Sequence, residues 1–231
     1  VMPNPTVECV YEGGEFAKRE KADFVVAVGG GSPMDSAKII ALLAAQDIKR
    51  EEIFSGKFEN KILPMIHIPT TAGTGSEVTQ YSILTNHEKE FKMSVASDIL
   101  FPEYALFDAK YMADLSRATT VNTAVDALSH CVEGMLSGKA GDISDTLAKR
   151  GISLISGCFD ALKSGEFSAE TREKLLLGSA YGGMTIAQTG TVAVHSMGYC
   201  LTYFRNIDHG RANGILLGKY IEFAHKVARD K

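Results

Sequence analysis

The sequence predicts an α/β domain over residues 1–115 followed by an all-α domain over residues 116–231. Two observations carry this. From about residue 20 to 110, short apolar runs rich in β-branched residues alternate with helical stretches. Beyond Leu115 good helix formers dominate, and no proline follows Pro102.

The elements follow in order. Phe24 to Val28 is a continuous apolar run closed by Gly29-Gly30-Gly31, the pattern of a buried parallel strand. Ser32-Pro33 opens a helix whose apolar positions are Ala37, Ile40, Ala41 and Ala44. Ile62 to Ile68 reads as a second buried strand. Thr79 to Leu84 and Phe91 to Val95 flank the polar turn Thr85 to Glu90 and predict a hairpin. Tyr104 to Phe107 is a further short strand. In the helical half, Gly178, Gly182 and Gly183 fall at helix-face spacing and permit close packing, at about 1 kcal/mol each relative to Ala.

Composition bounds the function. The 231 residues are 45% hydrophobic, with 24 Lys+Arg against 28 Asp+Glu and a net charge of −4. Such a balance excludes a disordered or fibrous chain and disfavours nucleic acid or an anionic membrane as partner. No apolar run approaches the ~20 residues of a membrane span, and Val1-Met2-Pro3-Asn4 shows no signal-peptide pattern. Cys9, Cys131, Cys158 and Cys200 form no CxxC pair and are read as reduced thiols of a cytoplasmic protein.

Three motifs carry chemistry. Strand, glycine triplet and helix at Gly29 to Ser32 can bind a phosphate with backbone N–H groups, or serve only as a tight turn. Asp35 and Lys38 can form a surface ion pair. The run Ile68-Pro-Thr-Thr-Ala-Gly-Thr-Gly-Ser-Glu77 follows a strand end, where open α/β sheets place ligands; its hydroxyls suit a pyrophosphate or ribose, or merely cap a loop. Asp126 and His130 share one helix face, His195 lies in an apolar helical stretch, and His209 precedes a helix expected over Ala212 to Ala228. One carboxylate and three imidazoles make a shell suited to Fe²⁺ or Zn²⁺, although each histidine alone reads as a core residue. His67, His87 and His225 have no such setting and are read as structural or exposed.

With residues 29–38, 69–79, Asp126-Ala-Leu-Ser-His130 and His209-Gly-Arg-Ala-Asn213 in this order, the chain resembles the iron-dependent, group III alcohol dehydrogenases over its whole length. The resemblance implies a dehydroquinate-synthase-like architecture, with a dinucleotide-binding domain and a helical metal-binding domain. It implies that Asp126, His130, His195 and His209 bind one divalent metal, Fe²⁺ or Zn²⁺. It further implies that Gly30, Gly31 and Ser32 cradle the pyrophosphate of NAD or NADP, that Asp35 belongs to the same cofactor site, and that Thr70, Thr71, Thr74, Thr79, Tyr81 and Lys92 line the rest.

The chain departs from the family in three ways. Tyr199 stands where members carry a second histidine thought to help proton transfer, so Tyr199 is the catalytic candidate. Cys200 replaces the following proline. Members also run longer at both ends, so the first domain is expected to be incomplete at its N-terminus and the second at its C-terminus. The implied activity is an NAD(P) alcohol dehydrogenase or aldehyde reductase acting on a short primary alcohol or diol, as a homodimer. The alternatives are a glycerol dehydrogenase-like or other superfamily enzyme, and a non-catalytic remnant.

Overall fold

A computed structural model describes residues 4–227, and nothing of the side chain of Phe91. The opening Val1-Met2-Pro3 and the expected helix end at Ala228 lie outside the described residues. The chain forms two compact units: one runs to Thr70 and resumes over Ser76–Asp108, while the other comprises Thr71–Gly75 and the chain from Ala109 onward.

The first unit opens with α1 (Val7–Arg19), capped where the Thr6 hydroxyl accepts from the Cys9 N–H. The sequence pattern did not expose this helix. Its buried stripe is Val7, Val10, Gly14 and Ala17, and a glycine does not read as apolar. Gly14 is required because a Cβ there would meet Leu43 Cβ at 2.6 Å, on the neighbouring α2 (Gly31–Ala45). Three parallel strands stand in the order β1 (Val25–Gly29), β2 (Met65–Pro69), β5 (Tyr104–Ala105). β2 begins after Pro64 rather than at Ile62, since proline has no N–H to donate; the Pro64 carbonyl instead accepts from Val25 N–H.

The expected burial of β1 needs correction. Ala27 packs beneath Met34 and Ala37 of α2, but Val26 and Val28 point to the opposite face and are 46% and 55% exposed. Among the described residues α2 covers one face of this sheet, and the other remains open. The hairpin β3 (Tyr81–Asn86) and β4 (Phe91–Ala96) pairs Ser82 with Val95 and Leu84 with Met93, and Leu84 and Val95 join Ile39 and Leu42 in the core.

The second unit is helical: α3 (Arg117–Leu136), α4 (Asp142–Ser156), α5 (Phe159–Ser164), α6 (Ala169–Thr189), α7 (Ala193–Arg205) and α8 (His209–Val227). Ser116 and Ser168 cap α3 and α6 by accepting from Thr119 and Thr171 N–H. The α6 glycines face three neighbours. Added Cβ atoms would meet Ile155 at 2.7 Å from Gly178 and the Ala127 carbonyl at 3.0 Å from Gly182, while Gly183 lies against Gly75 of the 71–75 segment. Asn206, in the left-handed region at φ 51°, ends α7. α8 then starts at His209 rather than at Ala212, with the Asp208 carbonyl accepting from Ala212 N–H.

Candidate metal centre and nucleotide-binding loops

In the first unit, Gly30 is the N-cap of α2 and makes no side-chain cap, so the helix start offers backbone N–H groups beside Gly31 and Ser32. Gly29 has a positive φ of 152°, and a Cβ there would meet Pro33 at 2.6 Å. The Gly29 carbonyl accepts from Thr70 N–H at 2.8 Å, tying the two strand-end loops together. The Ser32 hydroxyl accepts from Asn4 N–H at 3.1 Å.

Asp35 and Lys38 are not a surface pair. Asp35 accepts from the Ser76 hydroxyl (2.6 Å) and from Ile83 N–H (3.0 Å), and burial raises its pKa. Lys38 is fully buried and donates to Ser76 Oγ (2.9 Å), the Thr79 carbonyl (2.8 Å) and the Tyr81 carbonyl (2.7 Å). Burial pulls its pKa down to about 8. Asp35, Thr79 and Tyr81 therefore gather around one buried ammonium that braces the loop leaving residue 75 against α2. Lys92, on β4, donates to Asn4 Oδ1 at 2.6 Å. Thr71 and Thr74 fall on the segment that belongs to the helical unit.

That unit builds the metal candidate. Asp126 and His130, one turn apart on α3, meet His195 from the first turn of α7, and their donor atoms all lie within 4.8 Å of one another. His209, at the start of α8, brings Nε2 to 3.6 Å from Asp126 Oδ1. His195 Nε2 stands at the same 3.6 Å from that oxygen. The rings of His130 and His195 stack at 4.5 Å, and His209 meets His195 edge-on at 5.4 Å. Tyr199 lies one layer further out, stacked on His209 at 5.3 Å.

Burial opposes ionisation of Asp126, yet the imidazoles of His209, His130 and His195 hold its carboxyl well below the usual range. Burial pushes His130 down to about 4. His195 moves the other way, to about 9: burial lowers it, but the Asp126 and Glu133 carboxylates on either side of its ring outweigh burial. A charged carboxylate among imidazole nitrogens, in a pocket where Asp126, His130 and His195 are each under 5% exposed, fits a divalent ion of intermediate softness such as Fe²⁺ or Zn²⁺.

Two residues of this centre escaped the sequence reading. Glu133 contacts His195 Nδ1; its place on the Asp126/His130 face was the available signal. Asn213 brings Nδ2 to 2.9 Å from Asp126 Oδ1, 3.2 Å from His195 Nε2 and 3.3 Å from His209 Nε2. It sits one turn after His209, within a motif already singled out.

The chain is similar to known proteins in both sequence and fold. Residues 1–109 match the family model for iron-containing alcohol dehydrogenase, and residues 120–231 match that for the Fe-containing alcohol dehydrogenase family, C-terminal. The chain is 35% identical to lactaldehyde reductase of Escherichia coli (strain K12) over 94% of its own length, and it spans 57% of the length of that relative. Its fold is similar to an iron-containing alcohol dehydrogenase of Thermotoga maritima (TM-score 0.87, 43% identity), covering 94% of this chain and 59% of that one. It is also similar to sulfoacetaldehyde reductase from Bifidobacterium kashiwanohense in complex with NAD⁺ (TM-score 0.90, 34% identity), covering 96% and 60%.

Proposed function

The chain belongs to the iron-containing alcohol dehydrogenase family, and from that premise we propose that it serves a metal-dependent NAD(P) alcohol dehydrogenase or aldehyde reductase acting on a short primary alcohol or diol. The observation that carries this reading is the convergence of Asp126, His130, His195 and His209 in one helical unit.

In this reading those four side chains hold one Fe²⁺ or Zn²⁺, which when bound polarises the substrate oxygen. The Asp126 carboxylate sets the net charge of the centre. Gly30 and Gly31 offer backbone N–H groups, with Ser32, to the dinucleotide pyrophosphate. Thr70, Thr71, Thr74, Thr79, Tyr81 and Lys92 serve the rest of the cofactor. Asp35 contributes by holding Ser76 and the Ile83 amide, since both its oxygens already accept hydrogen bonds. Tyr199 moves a proton at its phenol oxygen or donates it to the substrate, and its ring steadies that of His209. Residence in the cytoplasm and a homodimer belong to the same reading; no helix of the described residues is long and apolar enough to cross a membrane.

The test is nicotinamide oxidation by the anaerobically purified chain with a short aldehyde, using NADH and NADPH with added Fe²⁺ or Zn²⁺. Metal-dependent turnover is expected. His209→Ala should lose metal uptake and turnover together, and a variant that keeps both removes His209 from the centre.

A further inference from the structure

Glu133 is buried completely, at 0% exposure, on the α3 face that carries Asp126 and His130. A carboxylate is retained in such a place only where its oxygens are satisfied. One oxygen accepts from the N–H groups of Val192 (3.0 Å) and Val194 (2.8 Å), and the other contacts His195 Nδ1. α7 starts at this point with Val192 as N-cap, whose side chain has no oxygen and makes no cap. The carboxylate thus caps α7 from a different helix and grips an imidazole of its first turn with the same group.

We propose that Glu133 is a positioning residue of the metal centre: it holds His195 as the Nδ1–H tautomer and turns the Nε2 lone pair toward Asp126, 3.6 Å away. Two neighbours support this orientation. Asn213 Nδ2, which can only donate, lies 3.2 Å from His195 Nε2, a contact that only the Nδ1–H tautomer turns into a hydrogen bond. His130 is held by the same device, its Nδ1 donating to the Gly73 carbonyl at 3.2 Å. The proposal rests on the reading of Asp126, His130, His195 and His209 as ligands of one ion.

The decisive variant is Glu133→Gln. Its amide oxygen can still accept from Val192 and Val194, so the α7 cap survives. Its NH₂ then opposes Nδ1–H, donor against donor, and drives His195 to the tautomer whose Nε2 carries the proton and cannot ligate. Zn²⁺ affinity, read by competition with a chromophoric chelator, should fall roughly 10- to 100-fold. The melting temperature of metal-free Glu133→Gln should stay near the parent's, whereas Glu133→Ala should lower both.

Parent-like Zn²⁺ affinity in Glu133→Gln would reduce Glu133 to a helix cap and overturn the proposal. A parent chain that takes up no Zn²⁺ overturns the ligand reading itself, so the two failures are distinct. Should Glu133→Gln not fold, ¹⁵N NMR of the Zn²⁺-loaded parent decides: His195 should be protonated at Nδ1 and metal-bound at Nε2, and the reverse assignment overturns the proposal.

Discussion

His67 shows what a single buried side chain can do to the acid limb of stability. It lies on β2 with no solvent exposure, and neither ring nitrogen has a hydrogen-bond partner among the described residues. Burial, helped by the Lys38 charge, pulls its pKa from 6.5 down to about 3. The unfolded chain therefore takes up this proton first, and stability falls as pH drops from about 6.5 toward 3, by at most roughly 1.4 kcal/mol per pH unit. Glu77 has the opposite sign: burial raises its carboxyl from 4.5 to about 7, so stability falls as pH rises through that window. Between pH 4.5 and 6.5 the two slopes oppose. His67→Leu should expose the Glu77 slope, making the variant's urea midpoint higher at pH 5 than at pH 7 relative to the parent's own difference. Glu77→Gln should tilt the profile the other way, and unchanged profiles in both variants would remove these groups from the pH response. A histidine flanked by isoleucines on a strand gives no warning of this, because the sequence cannot say which packed faces exclude water.

At the scale of elements, glycine spacing decides how closely helices approach. A Cβ on Gly210 would collide with the Asn122 carbonyl of α3, and backbone has no room to yield. Gly210→Ala should cost about 1–3 kcal/mol in thermal or urea unfolding, and it should weaken metal uptake by displacing its neighbour His209. Gly218, also on α8, has nothing among the described residues within 4 Å of its would-be Cβ. Gly218→Ala should therefore stabilise by up to about 1 kcal/mol through helix propensity. Equal effects of the two would refute the close α3–α8 approach. Elements of this kind were legible where local pattern dictates them: the hairpin through its polar turn, α2 through the glycine triplet and proline, Asp126 and His130 through their helical spacing. What escaped was set by tertiary context. α1 was hidden because a glycine completes its buried stripe, the open face of β1 because alternation cannot report an uncovered side, and Glu133 because a lone glutamate on a helix ordinarily points to water.

At the scale of the molecule, the chain does not divide at one point. Residues 71–75 leave the α/β unit, join the helical one, and return at Ser76. Within this excursion Gly75, at φ 60°, packs its would-be Cβ position 2.6 Å from Gly183 Cα, and the Gly73 carbonyl receives His130 Nδ1. The run of hydroxyls singled out for nucleotide binding is thus fastened by its middle to a ring singled out for metal binding.

Such a fastening behaves as a shared tether. If the proposed metal and cofactor bind here, an ion that restrains His130 should also shrink the range of shapes open to the peptide that bears Thr71 and Thr74, and a cofactor gripping those hydroxyls should narrow the swing of the imidazole in return. Free-energy cycles close, so the factor by which Zn²⁺ tightens NADH must equal the factor by which NADH tightens Zn²⁺. Fluorescence titration of NADH with and without Zn²⁺ should show tighter binding to the loaded chain, and chelator competition with and without NADH should return the same ratio. Identical NADH affinities in the two states would mean that the tether transmits nothing.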